Sequence, residues 1–314
     1  MKKSFFGCWP TMITPFTDDN KIDYRAVKKL TEWFIAMGCD GIFAVCQSSE
    51  MFFLSEQEKL DLARAVKDAA AGRVKVIASG HTADDLSRQV DELGRMAEIG
   101  TDAVVLVSNR LAKQNEGEDV FLKNFDTILR QLPQVVFGLY ECPYPYLRLL
   151  TTEFLADCGA QKKLVFLKDV SCALDIQKKR VNAVRGTELA LFNANTATLL
   201  DSFIAGYDGY SGVMGNFHID IYKWLYTHYL EQPEPAREVS DFLTLAAIGE
   251  IRAYPVNAKF YHRLTGVPMG IQTRSKNTEL LNENARHEIE SLIRMEKILR
   301  KRLGLQDSLN TRIF

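Results

Sequence analysis

A repeating pattern of helical and strand-like stretches runs along most of this chain. Three times, a stretch with apolar residues at helical spacing ends in Gly-x-Asp and gives way to an apolar, β-rich run. The glycine suits the left-handed end of a helix. A run that is apolar on both faces is typical of a parallel strand covered by helices. The three predicted strands are 41–45, 103–107 and 209–213.

Five further apolar runs bring the predicted strands to eight, at 8–13, 74–79, 135–140, 164–168 and 189–193. Helical patterns lie between them. Ser55 with Glu58 predicts a capping box at the start of the second helix, and Thr82 predicts the start of the third. Eight strand–helix units of roughly 30 residues each predict an α/β fold, a (β/α)8 TIM barrel. An open, doubly wound sheet is the alternative, but no Gly-rich phosphate turn follows the first strand.

The residues after the last predicted strand have a different pattern. They are helical in spacing, with breaks at prolines, and predict a C-terminal helical extension. We place the barrel, which carries the active site, at 1–230 and the extension at 231–314. No Ser/Gly-rich linker separates them, so we expect the extension to pack on the barrel.

Composition narrows the class of protein. Apolar residues make up 46% and charged residues 25% of the 314 residues, as in ordinary globular proteins. A net charge of −1 gives no electrostatic reason to expect binding to nucleic acid or to an acidic membrane. The six cysteines form no C-x-x-C pair and are expected to be reduced thiols. With neither a signal peptide nor a membrane-length apolar segment in the sequence, we expect a cytoplasmic protein.

One charged residue interrupts an apolar strand. Lys168 lies in the run 164–170, Leu-Val-Phe-Leu-Lys-Asp-Val. Burial of an ammonium group is costly, and a lowered pKa that leaves the amine neutral relieves this cost. A neutral lysine is a nucleophile toward carbonyls, so Lys168 is a candidate for imine formation. The alternative is a lysine at a strand end whose head group reaches water.

Polar residues at other predicted strand ends belong to the same face, because barrel active sites lie at the carboxyl ends of the strands. Tyr140 ends the fifth strand and is a candidate acid–base group. Ser48 and Ser49 follow the second strand and offer hydroxyls and consecutive N–H groups for a carboxylate. Lys168 would attack the carbonyl of a 2-oxo acid, and the protonated imine would stabilise a carbanion at the adjacent carbon.

These residues stand in motifs that resemble the dihydrodipicolinate synthase / N-acetylneuraminate lyase family of Schiff-base (class I) aldolases almost end to end. Tyr140 and Lys168 are 28 residues apart, as in that family. The matching segments are the opening strand 7–16, Cys-Gln-Ser-Ser-Glu at 46–50, Tyr-Glu-Cys-Pro at 140–143, Lys-Asp at 168–169, the last strand 206–216, and Tyr254-Pro255 with Lys259 and Arg274.

The resemblance implies a homotetramer with no metal and no organic cofactor. It implies a covalent imine between Lys168 and pyruvate or a longer 2-oxo acid, with Tyr140 in proton transfer. It also implies that Ser48 and the Ser49 N–H hold the substrate carboxylate, with Ser211 of the last strand among the substrate-binding residues.

Four departures from the family pattern bear on the substrate. Gln47 replaces the first hydroxyl of the family's Thr-Thr pair, and Arg110 stands where a neighbouring subunit usually lends a tyrosine. Pro145 replaces the arginine of the synthases, and 193–196 replaces the Gly-Asp that contacts sugar hydroxyls in sialic-acid lyases. These changes argue against both of those activities. We count Gln47 and Arg110 as candidate substrate-binding residues; a surface arginine at a subunit contact is the alternative for Arg110.

The leading hypothesis is a lyase or aldolase acting on pyruvate or a 2-oxo-3-deoxy acid. Two alternatives remain open, namely a 2-oxo acid dehydratase or hydratase-aldolase of the same family, and a non-catalytic paralogue that binds 2-oxo acids. A metal-dependent aldolase would need clustered ligands. The five histidines are scattered, and only His81 ends a predicted strand, so no metal site is predicted.

Overall fold

The computed structural model describes residues 3–305. Within them, eight parallel strands form one sheet in the order β1-β8-β7-β6-β5-β4-β3-β2. The strands are β1 Gly7–Cys8, β2 Gly41–Val45, β3 Lys75–Ala78, β4 Ala103–Val107, β5 Phe137–Tyr140, β6 Phe166–Asp169, β7 Ala190–Asn193 and β8 Gly209–Tyr210.

The sheet closes between β1 and β2 through the chain that follows β1. Thr11 forms a parallel bridge with Phe43. The N–H groups of Met12 and Phe43 donate to the carbonyls of Phe43 and Pro10, each at 3.0 Å. A ring of eight parallel strands alternating with helices is a (β/α)8 TIM barrel, which confirms the predicted fold class.

The barrel helices follow the strands in sequence. They are α1 Tyr24–Ala36, α2 Glu56–Ala70, α3 Leu86–Glu98, α4 Glu118–Gln131, α5 Thr152–Ala160, α6 Leu174–Ala183, α7 Leu199–Ala205 and α8 Gly215–His228. The predicted capping box is confirmed, because the Ser55 hydroxyl accepts from the Glu58 N–H and the Glu58 carboxylate accepts from the Ser55 N–H.

The predicted start of the third helix was wrong by a few residues. Asp85, not Thr82, caps α3, and its carboxylate accepts from the Arg88 N–H. The N–H groups of Thr82 and Ala83 instead donate to the carboxylate of Glu92, at 2.8 and 3.1 Å. The Glu92 side chain, which belongs to α3, thus accepts the hydrogen bonds of two backbone N–H groups in the loop before the helix.

β1 and β8 are shorter than predicted because an asparagine side chain replaces part of the strand pairing. The Asn216 amide accepts from the Ile13 N–H at 3.2 Å and donates to the Thr11 carbonyl at 2.7 Å. It also donates to the carbonyl of Val213 at 3.0 Å. The chain after each short strand is therefore held partly by Asn216 and partly by separate backbone hydrogen bonds, such as that from the Ser211 N–H to the Asn193 carbonyl at 2.9 Å.

The C-terminal extension is helical, with α9 Pro233–Ala246, α10 Glu250–Ala253, α11 Val256–Leu264 and α12 Glu283–Arg302. Buried ion pairs tie it to the barrel: Lys259 with Glu50 at 3.0 Å, and Arg300 with Asp220 at 2.6 Å. The predicted domain ends at residues 1 and 314 lie outside the described residues. None of the helices between residues 3 and 305 combines the length and apolar character needed to cross a membrane.

Candidate active site

Lys168 and Tyr140 occupy paired positions on neighbouring strands. They are register partners between β5 and β6, at the carboxyl end of both strands. The Lys168 Nζ lies 4.5 Å from the centroid of the Tyr140 ring, and the lysine is 4% exposed. Among the described residues, no acceptor lies within hydrogen-bonding distance of this Nζ. The amine is thus held at the carboxyl end of the strands without an ionic partner.

An aromatic layer fills the barrel below this amine. Phe166 contacts Trp9 and Phe192, with ring centroids 5.8 and 4.6 Å apart, and Phe43 lies 6.0 Å from the Lys168 Nζ. Because this layer excludes water, burial lowers the pKa of Lys168, and nearby acidic groups, including Glu250, offset only part of that effect. At a given pH, a larger fraction of the Lys168 side chain is therefore neutral than of a free lysine.

A side-chain hydrogen bond to Gln47 orients the Tyr140 phenol. Its hydroxyl donates to the Gln47 Oε1 at 3.2 Å. Burial raises the pKa of Tyr140 well above its ordinary value, so the phenol stays protonated at neutral pH. Gln47 accepts this hydrogen bond but cannot pass the proton on, because its amide has no dissociable proton near neutral pH.

The two serines after β2 have different surroundings. The Ser48 side chain borders the cavity that contains Lys168, and its hydroxyl donates to the Thr11 Oγ1 at 3.1 Å. The Ser49 hydroxyl is fully buried and lies within donating distance of two carbonyl oxygens, those of Met12 and Ala44, each at 2.7 Å. The Ser49 N–H donates to the Cys46 carbonyl at 3.1 Å. Its hydroxyl and N–H therefore both shape the turn, and Ser49 is not among the cavity-lining residues.

Arg110 and Ser211 are also absent from the residues that line this cavity. The Arg110 guanidinium donates to Asp84, and the Arg110 carbonyl accepts from Gln89 at 2.9 Å. The hydroxyl of Ser211 is buried without a hydrogen-bond partner, while its N–H donates to the Asn193 carbonyl at 2.9 Å. The structure thus brings together Lys168 and Tyr140 with two of the other predicted residues, Gln47 and Ser48. We call these four residues the floor of the cavity.

A buried ionic network holds the residues that directly follow Tyr140 and Lys168. Glu141 and Asp169 both pair with Arg180, at 2.5 and 2.7 Å, and all three side chains have no exposed surface. Asp169 also accepts from the Tyr207 hydroxyl, and Glu141 accepts from the N–H of Val170 at 3.0 Å. Because one guanidinium joins the ends of β5 and β6, it fixes the relative position of the lysine and the tyrosine.

The extension completes the cavity, which has a volume of about 380 Å³. Glu250 begins α10, Tyr254 follows it, and Ser275 and Lys276 lie in the loop after α11. We call these four residues the mouth of the cavity. These four residues were not predicted from the sequence as site residues, since they are distant in sequence from every strand end. The similarity of Tyr254-Pro255 to the family pattern was the one available signal.

A buried ion pair between Glu50 and Lys259 holds the mouth of the cavity against the barrel. The Glu50 carboxylate accepts from the Lys259 Nζ at 3.0 Å, from the Thr273 hydroxyl at 2.9 Å, and from the N–H groups of Arg274 and Ser275, each at 2.7 Å. Burial lowers the pKa of Lys259 to about 8, against the opposing effect of Glu50. This pair joins the loop after β2 to the segment that carries Ser275 and Lys276.

The described residues 3–305 contain no group of three or more histidine, cysteine or acidic side chains placed to hold a metal ion. His81, the histidine at a strand end, accepts from the Val107 N–H through its Nε2 at 2.6 Å and contacts Gln89 through its Nδ1 at 3.1 Å. Burial lowers the pKa of His81 to about 3, so the ring is neutral. It is a hydrogen-bonded structural residue.

The fold and the cavity define a (β/α)8-barrel protein with a desolvated lysine at the carboxyl ends of its strands. Comparison with known proteins makes this more specific. The model of the dihydrodipicolinate synthetase family matches residues 4–296, and the chain belongs to this family.

Curated relatives include the 4-hydroxy-tetrahydrodipicolinate synthases of Thermosynechococcus vestitus, 30% identical over 52% of this chain, and of Microcystis aeruginosa, 30% identical over 55%. The matched segments span 54% and 57% of those relatives, so the chain aligns with little more than half of their length.

Solved structures with the same fold extend over nearly the whole chain. A dihydrodipicolinate synthase from Bacillus anthracis has a TM-score of 0.84 at 20% identity, covering 93% of this chain and 98% of that one. The E. coli protein YagE, of the dihydrodipicolinic acid synthase family and solved with pyruvate, has a TM-score of 0.81 at 18% identity, covering 96% and 100%. At 20% and 18% identity, these similarities show the fold alone.

Proposed function

We propose that this protein is a lyase of the aldolase type that forms an imine between Lys168 and pyruvate or a 2-oxo-3-deoxy acid. The observation that carries the proposal is the Lys168 amine, buried and without an ionic partner, 4.5 Å from the Tyr140 ring in one cavity. Membership of the dihydrodipicolinate synthetase family supports it, as does the pyruvate complex of YagE.

The chemistry follows from the floor residues. The neutral Lys168 Nζ attacks the C2 carbonyl of the 2-oxo acid, and loss of water gives an imine. Once protonated, this imine accepts the electron pair of the C3–C4 bond as that bond breaks, while the C4 hydroxyl loses its proton and becomes a carbonyl. We assign these proton transfers to the Tyr140 phenol, which accepts the C4 hydroxyl proton as it gives its own proton to C3 of the resulting enamine. Water then hydrolyses the imine and releases pyruvate and the free Lys168 amine. The Ser48 hydroxyl borders the same cavity, and we assign it to the substrate carboxylate.

Borohydride trapping with pyruvate tests the imine. We expect the intact protein to gain the mass of one reduced pyruvate, and peptide mapping to place it on Lys168. Two other buried lysines are internal controls, since Lys59 donates to the Gly80 carbonyl at 2.8 Å and Lys259 is paired with Glu50. An unchanged mass, or an adduct on either control lysine, would contradict the proposal.

Release of pyruvate tests cleavage. We expect a screen of 2-oxo-3-deoxy sugar acids to yield pyruvate with the wild type and none with Lys168→Ala. Dehydration would consume the same acids without releasing pyruvate, so the products separate the two reactions. Imine trapping without turnover on any acid would instead indicate a 2-oxo acid-binding paralogue.

The proposal includes no metal and no organic cofactor, because the protonated imine itself stabilises the carbanion. Pyruvate release that persists after treatment with a chelator would support this. We also propose a cytoplasmic homotetramer. The relatives vary in assembly, since a monomeric dihydrodipicolinate synthase variant shares this fold at a TM-score of 0.85. Light scattering in solution would give the mass of the assembly directly.

A further inference from the structure

Glu250 is a carboxylate at the cavity mouth that the proposed chemistry does not use. Its side chain is exposed and borders the same cavity as Lys168 and Tyr140. Among the described residues, no cation lies within 4 Å of this carboxylate and no donor is hydrogen-bonded to it. It is therefore available to whatever enters the cavity from the extension side.

The other charged groups at the mouth are engaged or point to water. The Glu50 carboxylate is saturated by Lys259 and by three further donors. The Arg274 guanidinium is paired with Glu58 at 2.7 Å and is not a lining residue. Lys276 also lines the mouth and is exposed to solvent, as Glu250 is, so its separate effect is measured with Lys276→Ala.

The field of Glu250 reaches the interior of the cavity. Its charge acts on Lys168 and also on Cys172 and Tyr254, two further lining residues. Among the described lining residues the cations are Lys168 and Lys276, and none is an arginine. A second carboxylate on a substrate would thus be repelled by Glu250, and no arginine among the described lining residues could bind it with two hydrogen bonds.

The cavity has room beyond the reacting carbons. Its volume of about 380 Å³ exceeds what a three-carbon 2-oxo acid fills, so a longer substrate extends from the floor toward the mouth. At the mouth, a carboxylate accepts hydrogen bonds from hydroxyl groups. Asn195 also lines the cavity; its Oδ1 accepts from the Thr198 N–H at 3.0 Å, so its NH₂ group is the part that serves substrate recognition as a donor.

We propose that Glu250 is a specificity-determining residue, which selects 2-oxo acids with an uncharged, hydroxylated distal chain over those that end in a second carboxylate. The inference rests on the proposed function, since it places the C2 carbonyl of the substrate at Lys168. Hydroxyl groups at the distal end donate to Glu250, whereas a distal carboxylate is repelled by it.

Competition against pyruvate trapping tests this, read at initial rates so that little unlabelled pyruvate is released from the hydroxylated acid. Isotope-labelled pyruvate is trapped with borohydride in the presence of either of two six-carbon acids, a 2-oxo-3-deoxyhexonic acid or 2-oxoadipate. We expect the hydroxylated acid to compete with the wild type at a concentration about ten-fold lower than 2-oxoadipate, since like charges disfavour the latter. In Glu250→Gln, we expect the ratio to fall at least about five-fold, mainly because 2-oxoadipate competes better.

Two variants serve as controls. Glu231 is an exposed glutamate outside the cavity, so Glu231→Gln keeps the wild-type ratio. Lys276→Ala tests the other charge of the mouth. An unchanged ratio in Glu250→Gln, a change in Lys276→Ala alone, or no competition by either acid would overturn the inference while leaving imine formation intact. Absence of labelled pyruvate on Lys168 in the wild type would instead overturn the proposed function, and the inference with it.

Discussion

Tyr140 and Lys168 face each other across one strand pairing, and the Nζ lies 4.5 Å from the centroid of the phenol ring. The residue after each of them, Glu141 and Asp169, is bound to the same guanidinium, that of Arg180. The two candidate catalytic side chains therefore share one rigid support, and the spacing between them depends on buried charges rather than on a flexible loop.

Removal of the Tyr140 hydroxyl should separate imine formation from turnover. Because the phenol handles protons but does not form the imine, Tyr140→Phe should still be trapped by pyruvate and borohydride. Pyruvate release should fall by about 10²–10⁴-fold, the usual contribution of a positioned acid–base group. Steady-state assay and mass spectrometry measure the two effects. Tyr24→Phe, an exposed tyrosine, is the control, and a Tyr140→Phe variant with full turnover would contradict the assignment.

The pH dependence of trapping should report the lowered pKa of Lys168. Only the neutral amine attacks pyruvate, so the rate should increase with pH and level off below the range of an ordinary lysine. Since the charge of Glu250 raises the pKa of Lys168, Glu250→Gln should move this increase to lower pH. Trapping with cyanoborohydride over a pH series gives both profiles. An increase confined to pH values above the ordinary 10.5 would contradict the buried, neutral amine.

Arg180 should be a stability determinant. Arg180→Met would leave the Glu141 and Asp169 carboxylates buried without a cation, a change that typically costs about 3–5 kcal/mol. Urea unfolding should show this loss at neutral pH. The loss should shrink as the pH falls, because unpaired buried carboxylates take up protons and become neutral. A variant as stable as the wild type at pH 7 would show that the network does not support the strand ends.

Lys259 should make the stability of the protein depend on pH in the alkaline range. Its pKa in the folded protein is about 8, below the ordinary 10.5, so between these values the unfolded chain binds more protons than the native one. Stability should therefore rise with pH across this window, relative to Lys259→Met, and the penalty from Lys259 should be largest below about 8. Thermal unfolding of both proteins over that range measures the difference, and parallel curves would contradict it.

Cys172 should be the first of the described cysteines to react with an alkylating reagent. It is exposed and lines the cavity, whereas Cys8, Cys39, Cys46, Cys142 and Cys158 are buried. Partial burial of the Cys172 thiol raises its pKa, and nearby acidic groups raise it further. Alkylation should therefore accelerate as the pH rises. Peptide mapping after iodoacetamide treatment identifies the site. Bound pyruvate should slow the reaction, and modification of Cys46 or Cys142 first would contradict the exposure pattern.

The sequence was sufficient for the barrel and for the floor of the cavity. Strands buried on both faces leave a strong apolar signal, and Lys168 and Tyr140 are visible because each interrupts or ends such a run. Gln47 and Ser48 follow from the same rule, since they come directly after a strand. Strand ends were harder to predict, because a side chain from a distant helix, Asn216, hydrogen-bonds the backbone just after β1 and β8.

The mouth could not be predicted for a physical reason. Glu250 and Lys276 reach the cavity only because the extension packs on the barrel through contacts such as Lys259 with Glu50, which pair residues 209 positions apart. Local periodicity carries no information about such pairing. Conversely, Arg110 follows a strand end, yet its guanidinium turns to Asp84.

The separate origins of the floor and the mouth have a consequence for how such a protein changes over time. Glu250 and Lys276 lie in the extension, outside the strands that hold the nucleophile, and the side chain of neither is hydrogen-bonded to those strands among the described residues. Substitutions there would alter which molecules are accepted and leave the bond-making step in place. A library randomised at Glu250 and Lys276 is thus a direct route to new substrates for an unchanged nucleophile.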